Sequence, residues 1–198
     1  GLFTSTAYSL NPRDIPVLRR KLQNAIERAG FTPASHDGKS LLNILETYPR
    51  DELFQVSEDH LFQAAMGILH LQDRQRVALF TRADDYGRFI SSFVYIPRDR
   101  YTTNLRHRLQ DIMCEAFAGE VSAYKAELGD SPLARLHVIV KTTPGQIPKY
   151  DTDKLEARMA EAARSWSDLM GDALFAAPGE EPGLELSQSG HAARRARG

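Results

Sequence analysis

Between His36 and Leu61 the chain reads HDGKSLLNILETYPRDELFQVSEDHL. Two histidines, a lysine, an arginine and six carboxylates crowd into it. An imidazole beside a carboxylate is the pairing general acid–base catalysis uses, and His36, Lys39, Glu46 and Arg50 are the candidates for such a polar site. The same residues have a plainer duty. His36 and Asp37 stand at a helix entry, Arg50 and Asp51 follow Pro49, and Glu58 and Asp59 fill a first turn after Ser57. Carboxylates belong at the positive end of a helix, so the stretch reads as helix punctuation.

Other chemistries find less support. The six histidines, at positions 36, 60, 70, 107, 137 and 191, form neither HExxH nor a Cys/His ligand spacing. No metal site is expected. The single cysteine, Cys114, lies among the inward residues of a predicted helix, as a small core side chain does. No GxGxxG, GxxxxGK[ST] or GxSxG occurs, so no catalytic or cofactor-binding residue is expected. Two loops remain as a small-ligand or interface patch. ADDYGR offers Asp85 and Arg88, and KTTPGQIPK offers Thr143, Gly145 and Lys149 just before a helix, where an anion can be held. YIPRDRYTTNLRHR gathers Arg98, Arg100, Arg106 and Arg108 near Tyr95 and Tyr101. Phe89, Ser91, Phe93 and Tyr95 share one strand face, which raises an RNA-binding alternative. The reading preferred here puts those aromatics under helices.

The elements that would carry these residues follow from periodicity. Asn11, Pro12 and Gly30 bracket a helix with the stripe Val17, Leu18, Leu22, Ala25 and Ile26. Asp37 is positioned to cap a second, with Leu41, Leu42, Ile44, Leu45 and Tyr48 inward, ended by Pro49. Ser57 caps a third, with Leu61, Ala65, Ile68 and Leu69 inward. After Arg76 the period drops to about two. Two strands meet at ADDYG, with Gly87 taking the turn's positive φ. A helix follows over TTNLRHRLQDIMCEAFAG, then a second strand pair, EVSAYKAEL and LARLHVIVKTTPG, joined through GDSP. A last helix starts at Asp151, with Leu155, Met159, Ala162, Trp166, Leu169 and Met170 inward.

The expected class is α+β. An N-terminal helical segment, residues 1–74, precedes a ferredoxin-like β-β-α-β-β-α antiparallel sheet with helices on one face, residues 75–175. The first eight or so residues, around LFTSTAY, read as the last strand of a preceding module. Residues 176–198, rich in Gly, Pro, Ser and charge, are expected to be disordered. With 25 basic and 26 acidic side chains the net charge is −1, against a protein built to hold nucleic acid. No apolar run reaches membrane-span length, and GLFTSTAYSL is no signal peptide. One thiol fits a reducing cytoplasm, and the start suggests a chain cut from something longer.

Several of these segments share a likeness. SHDGKSLLNILETYPRDELFQ, RQRVALFTRADDYGRFISSFVYIPRDRYTTNLR, the leading LFTSTAY and IPVLRRK, and the later SPLARLHVIVKTTPG resemble, in order, the N-terminal half of the large bacterial NAD-specific glutamate dehydrogenases. The likeness covers roughly residues 2 to 175. It implies a non-catalytic region with ACT-like and PAS-like modules, while the glutamate and NAD sites lie far downstream. The implied parent oxidises L-glutamate to 2-oxoglutarate with NAD. The implied partners are other domains and subunits of that enzyme in a homo-oligomer, with an amino acid as candidate effector. The strand order departs from the βαββαβ of ACT domains, which puts their usual effector interface in doubt. A freestanding effector-binding module is the other alternative.

Overall fold

The computed structural model describes residues 5–129 and 131–176. The expected tail beyond them, and the side chains of Trp166, Leu169 and Met170, lie outside the described residues.

The N-terminal segment is helical throughout. Ser5–Ser9 forms a short helix, α1, where a strand was expected. Its β-prone residues have no strand to pair with among the described residues, and a helix satisfies its own backbone groups. Asn11 caps a single 3-10 turn, Pro12–Asp14, by accepting from the Arg13 N–H at 2.9 Å. The expected long helix cannot run on from there, because Pro16 has no N–H to give the Pro12 carbonyl. Ile15 gives its own instead, at 3.2 Å. Helix α2, Pro16–Ala29, starts afresh and closes on Gly30 at φ 68°. Val17 therefore faces solvent, while Leu18, Leu22 and Ala25 are buried.

Helix α3, His36–Glu46, is capped by Ser35, whose hydroxyl accepts from the Gly38 N–H at 3.1 Å. Asp37 sits in the first turn rather than at the cap. After Pro49 the chain forms a short helix, α4, Arg50–Gln55, where a plain connection was read. The Lys21 ammonium donates to the carbonyls of Leu53 and Val56 at its end, at 2.8 and 2.6 Å. Burial lowers the Lys21 pKa. Ser57 caps helix α5, Glu58–Asp73, as expected.

Strands β1 (Ala78–Ala83), β2 (Phe89–Pro97), β3 (Glu120–Glu127) and β4 (Leu133–Lys141) form one antiparallel sheet in the order β1-β2-β4-β3. Helix α6, Thr103–Phe117, and helix α7, Thr152–Ala176, cover one face. Leu79, Ile90, Val94, Leu136, Val138 and Val140 meet Leu105, Leu109, Met113, Phe117 and Met159 there. This is the β-β-α-β-β-α unit in its expected form. The opposite face is not left open. Ala78, Phe93, Tyr95 and Leu133 are buried in a second core with Leu41, Leu45, Tyr48, Leu53, Leu61 and Ile68. The helical segment folds back onto the sheet and makes a third layer. No helix among the described residues is long and apolar enough to cross a membrane.

Candidate functional site

The opening stretch does not converge on a site. His36 Nδ1 lies 3.6 Å from Asp37 Oδ1, but both side chains are largely exposed at the helix start. Arg50 spends its guanidinium on backbone carbonyls, Leu10 at 3.0 Å and Glu46 at 3.3 Å, and Glu46 faces Arg13 at 3.6 Å. Cys114 is half-buried, and that burial raises its thiol pKa. Among the described residues no group of three His, Cys, Asp or Glu side chains could hold a metal ion.

The two loops singled out from the sequence do meet. Gly87 takes φ 63° in the β1–β2 turn, and a Cβ there would lie 3.0 Å from the Gly145 N. The Thr142 N–H donates to the Arg88 carbonyl at 2.9 Å, and the Thr142 hydroxyl to the Gly87 carbonyl at 3.1 Å. Arg88 is not free to greet a ligand with its full fork. Its Nε and Nη2 donate to Asp84 at 2.7 and 2.9 Å. Those bonds, with the Arg88 and Tyr86 amides, hold the Asp84 carboxyl down at about 2. Asp85, Thr143, Gly145 and Lys149 are exposed, and Asp85 shares a cavity of about 520 Å³ with Tyr150 and Thr152.

The densest polar geometry lies elsewhere, between the helical layer and the sheet. Glu52 on α4 is 3% exposed. Arg82 on β1 grips it with two bonds, Nε to Oε2 at 2.8 Å and Nη2 to Oε1 at 3.0 Å. A cleft of about 310 Å³ opens beside the pair, walled by Tyr48, Val56, His60, Ala64 and Phe80. On the same face His137 stacks on Phe93, ring centroids 4.4 Å apart, and its Nε2 lies 2.8 Å from the Ser91 hydroxyl. Burial lowers the His137 pKa. Arg135 pairs with Glu127 and donates to the Thr47 carbonyl at 3.2 Å, tying β3, β4 and α3 together. Phe93 and Tyr95 are thus spent on packing under helices, as preferred from the sequence.

None of these pairs was named from the sequence. Two signals were present. Glu52 stands four residues from Tyr48 and four from Val56 and directly before Leu53, which sets a carboxylate among apolar side chains. Arg135, His137 and Ile139 alternate against Leu136, Val138 and Val140, which marks a second strand face with company of its own.

Comparison with known proteins decides the family. Residues 15–74 match the model of the glutamate dehydrogenase helical motif 1, and residues 78–167 that of the glutamate dehydrogenase ACT2 domain. The NAD-specific glutamate dehydrogenase of Halomonas elongata is 44% identical over 181 residues, 91% of this chain and 11% of that protein. That of Pseudomonas aeruginosa is 36% identical over 186 residues, 94% of this chain and 12% of the relative. That of Mycobacterium tuberculosis is 33% identical over 189 residues, again 12% of the relative. The chain belongs to the NAD-specific glutamate dehydrogenase family. It spans 11 to 12% of the length of these relatives. Within this glutamate dehydrogenase segment, the Glu52–Arg82 pair joins helical motif 1 to ACT2, and so does the contact of Arg135 with Thr47.

Proposed function

We propose that this chain is a non-catalytic region of a cytoplasmic NAD-dependent glutamate dehydrogenase, serving assembly of the homo-oligomer and sensing of an amino-acid effector. The parent reaction is the oxidation of L-glutamate with water and NAD to 2-oxoglutarate, ammonium and NADH. The observation that carries this reading is the succession of helical motif 1 and ACT2 in a chain whose relatives are NAD-specific glutamate dehydrogenases. The polar side chains of the interior support it. Glu52 and Arg82 are spent on each other between the layers, and Arg135 on Glu127 within the sheet and on the Thr47 carbonyl across to α3, which suits a scaffold better than a catalytic centre.

The effector contact we propose is the loop junction of Asp85, Arg88, Thr143, Gly145 and Lys149. Lys149 offers an ammonium to a ligand carboxylate and Asp85 a carboxylate to its amine. An effector there acts on a distant active site only by binding one arrangement of the enzyme better than another.

The test is glutamate-dependent NADH formation by this chain and by the long protein that carries it. Turnover in the long protein, none in this chain, and altered assembly after deletion of residues 75–175 are the expected results. Turnover by this chain alone overturns the reading. A thermal-shift panel of amino acids tests the effector contact. A ligand at a hundred times its dissociation constant adds about 2.7 kcal/mol, and no movement with any amino acid removes that part.

A further inference from the structure

The two edges of the sheet are finished differently. At β3 the register shifts between Val121 and Ala123, and Lys125 is exposed. A bulge and an edge lysine are devices that discourage another strand from pairing. At β1 neither occurs. The Asp84 N–H donates to the Phe89 carbonyl at 2.9 Å and closes the last rung of the hairpin. Even-numbered residues of β1 therefore bond to β2, and Leu79, Thr81 and Ala83 turn their backbone groups outward. The Leu79 N–H is met there by Glu156 Oε2 of α7 at 2.9 Å, which confirms the direction. The N–H groups of Thr81 and Ala83 have no partner among the described residues.

This edge is recessed rather than bare. Two cavities of about 310 and 520 Å³ run along it and share His60, Thr81, Arg82 and Thr152. The turn of α5 at His60 and Ala64 walls one side, and Tyr150 with Thr152 the other.

Resting on the assembly reading above, we propose that the β1 edge receives a short extended segment from the remainder of the long polypeptide, which pairs with Thr81 and Ala83 as a fifth strand. Side chains of such a strand alternate between the two walls. The α5 side, with Val56, Ala64 and Phe80, takes an apolar residue, and the α7 side a hydrogen-bonding one, met by the Thr152 hydroxyl and by the Tyr150 hydroxyl, which donates to Thr81 Oγ1 at 3.2 Å and still has an oxygen to accept with. Two observations favour a segment of the same polypeptide over a second copy. A recess with walls on both sides admits a lone extended segment, whereas the walls of two copies collide before their β1 edges meet. Some seven-eighths of the relatives' length lies outside this region, and a tethered segment binds at high effective concentration.

Amide hydrogen exchange at Thr81 and Ala83 tests this, in the long protein and in this chain. The expected result is free exchange in this chain and protection of roughly a hundredfold or more in the long protein. Ala83→Pro removes only an outward donor, which an edge strand tolerates. It is expected to leave the melting temperature of this chain unchanged and to release the protection at Thr81 in the long protein. Equal exchange in both proteins overturns the proposal, even where the long protein forms NADH from glutamate. Protection that grows with the concentration of this chain alone also overturns it, in favour of a second copy. Protection in a long protein with no such activity keeps the groove and removes the enzymatic reading.

Discussion

Glu52→Leu is the sharpest perturbation of the joint between the helical layer and the sheet. The side chains of Glu52 and Arg82 are 4% and 12% exposed and share two hydrogen bonds. Removing one partner of a buried pair costs about 3–5 kcal/mol, because the survivor keeps its charge without its partner. Arg82 retains Gln55 Oε1 at 3.3 Å and borders a cleft, so the low end, about 3 kcal/mol, applies. For a chain of this size that is a fall in Tm of about 6–12 °C. Glu52→Leu with Arg82→Leu removes both charges beside Tyr48 and Phe93, and whole-pair replacement by apolar side chains is often neutral. The double variant is therefore expected to be more stable than Glu52→Leu alone, which requires a coupling larger than the cost of Arg82→Leu, more than about 3 kcal/mol. Thermal and urea unfolding of the four proteins at pH 7 measure it. Additivity to within about 0.5 kcal/mol would refute the reasoning, and the layers would then be held by their apolar contacts alone.

Other outcomes follow from the same geometry. Burial lowers the His137 pKa, so the unfolded chain takes a proton that the native one refuses. Stability is then full above about pH 7 and declines as pH falls through 6.5. His137→Gln is expected to flatten that decline in Tm between pH 7 and 5, and parallel profiles would remove the account. Asp84, held near 2 by Arg88, stabilises the fold above pH 4 and loses that contribution as pH falls toward 2. Asp84→Asn should be less stable than the parent at pH 7, with the gap closing in acid, as urea midpoints across pH would register. Gly119→Ala sets a Cβ 2.3 Å from the Lys141 carbonyl oxygen. Forcing β3 away from β4 there should cost about 1–3 kcal/mol, read as a lowered urea midpoint.

What was legible in the sequence was local. The Ser57 cap, the Gly87 turn and the stripe from Leu105 to Phe117 each depend on neighbours within a few residues, and they stand where periodicity put them. The departures have local physics too. A second proline, Pro16, four residues after Pro12 breaks one expected helix into a turn and a helix. Six residues of α4 are too few to display a 3.6-residue period.

The back-folding of the helices was not local, and that is why it was missed. Glu52 meets Arg82 across 30 residues and Thr47 meets Arg135 across 88. No window of the sequence contains either pair. Yet β4 already carried the constraint. A strand with Leu136, Val138 and Val140 on one side has its core. Its other side presents Arg135, His137 and Ile139, next to Phe93 and Tyr95 of β2. Large aromatics do not usually stay in water over a whole sheet face. A charged and a titratable residue among them call for partners that can meet them with polar atoms. A covering layer therefore had to bring both apolar bulk and carboxylates or carbonyls. The stretch from His36 to Leu61 carries both, with Leu41, Leu45, Tyr48, Leu53 and Leu61 buried and Glu52 buried among them. Its carboxylates and helix stripes were read one by one as punctuation. Taken with the sheet face, they describe the surface that closes it.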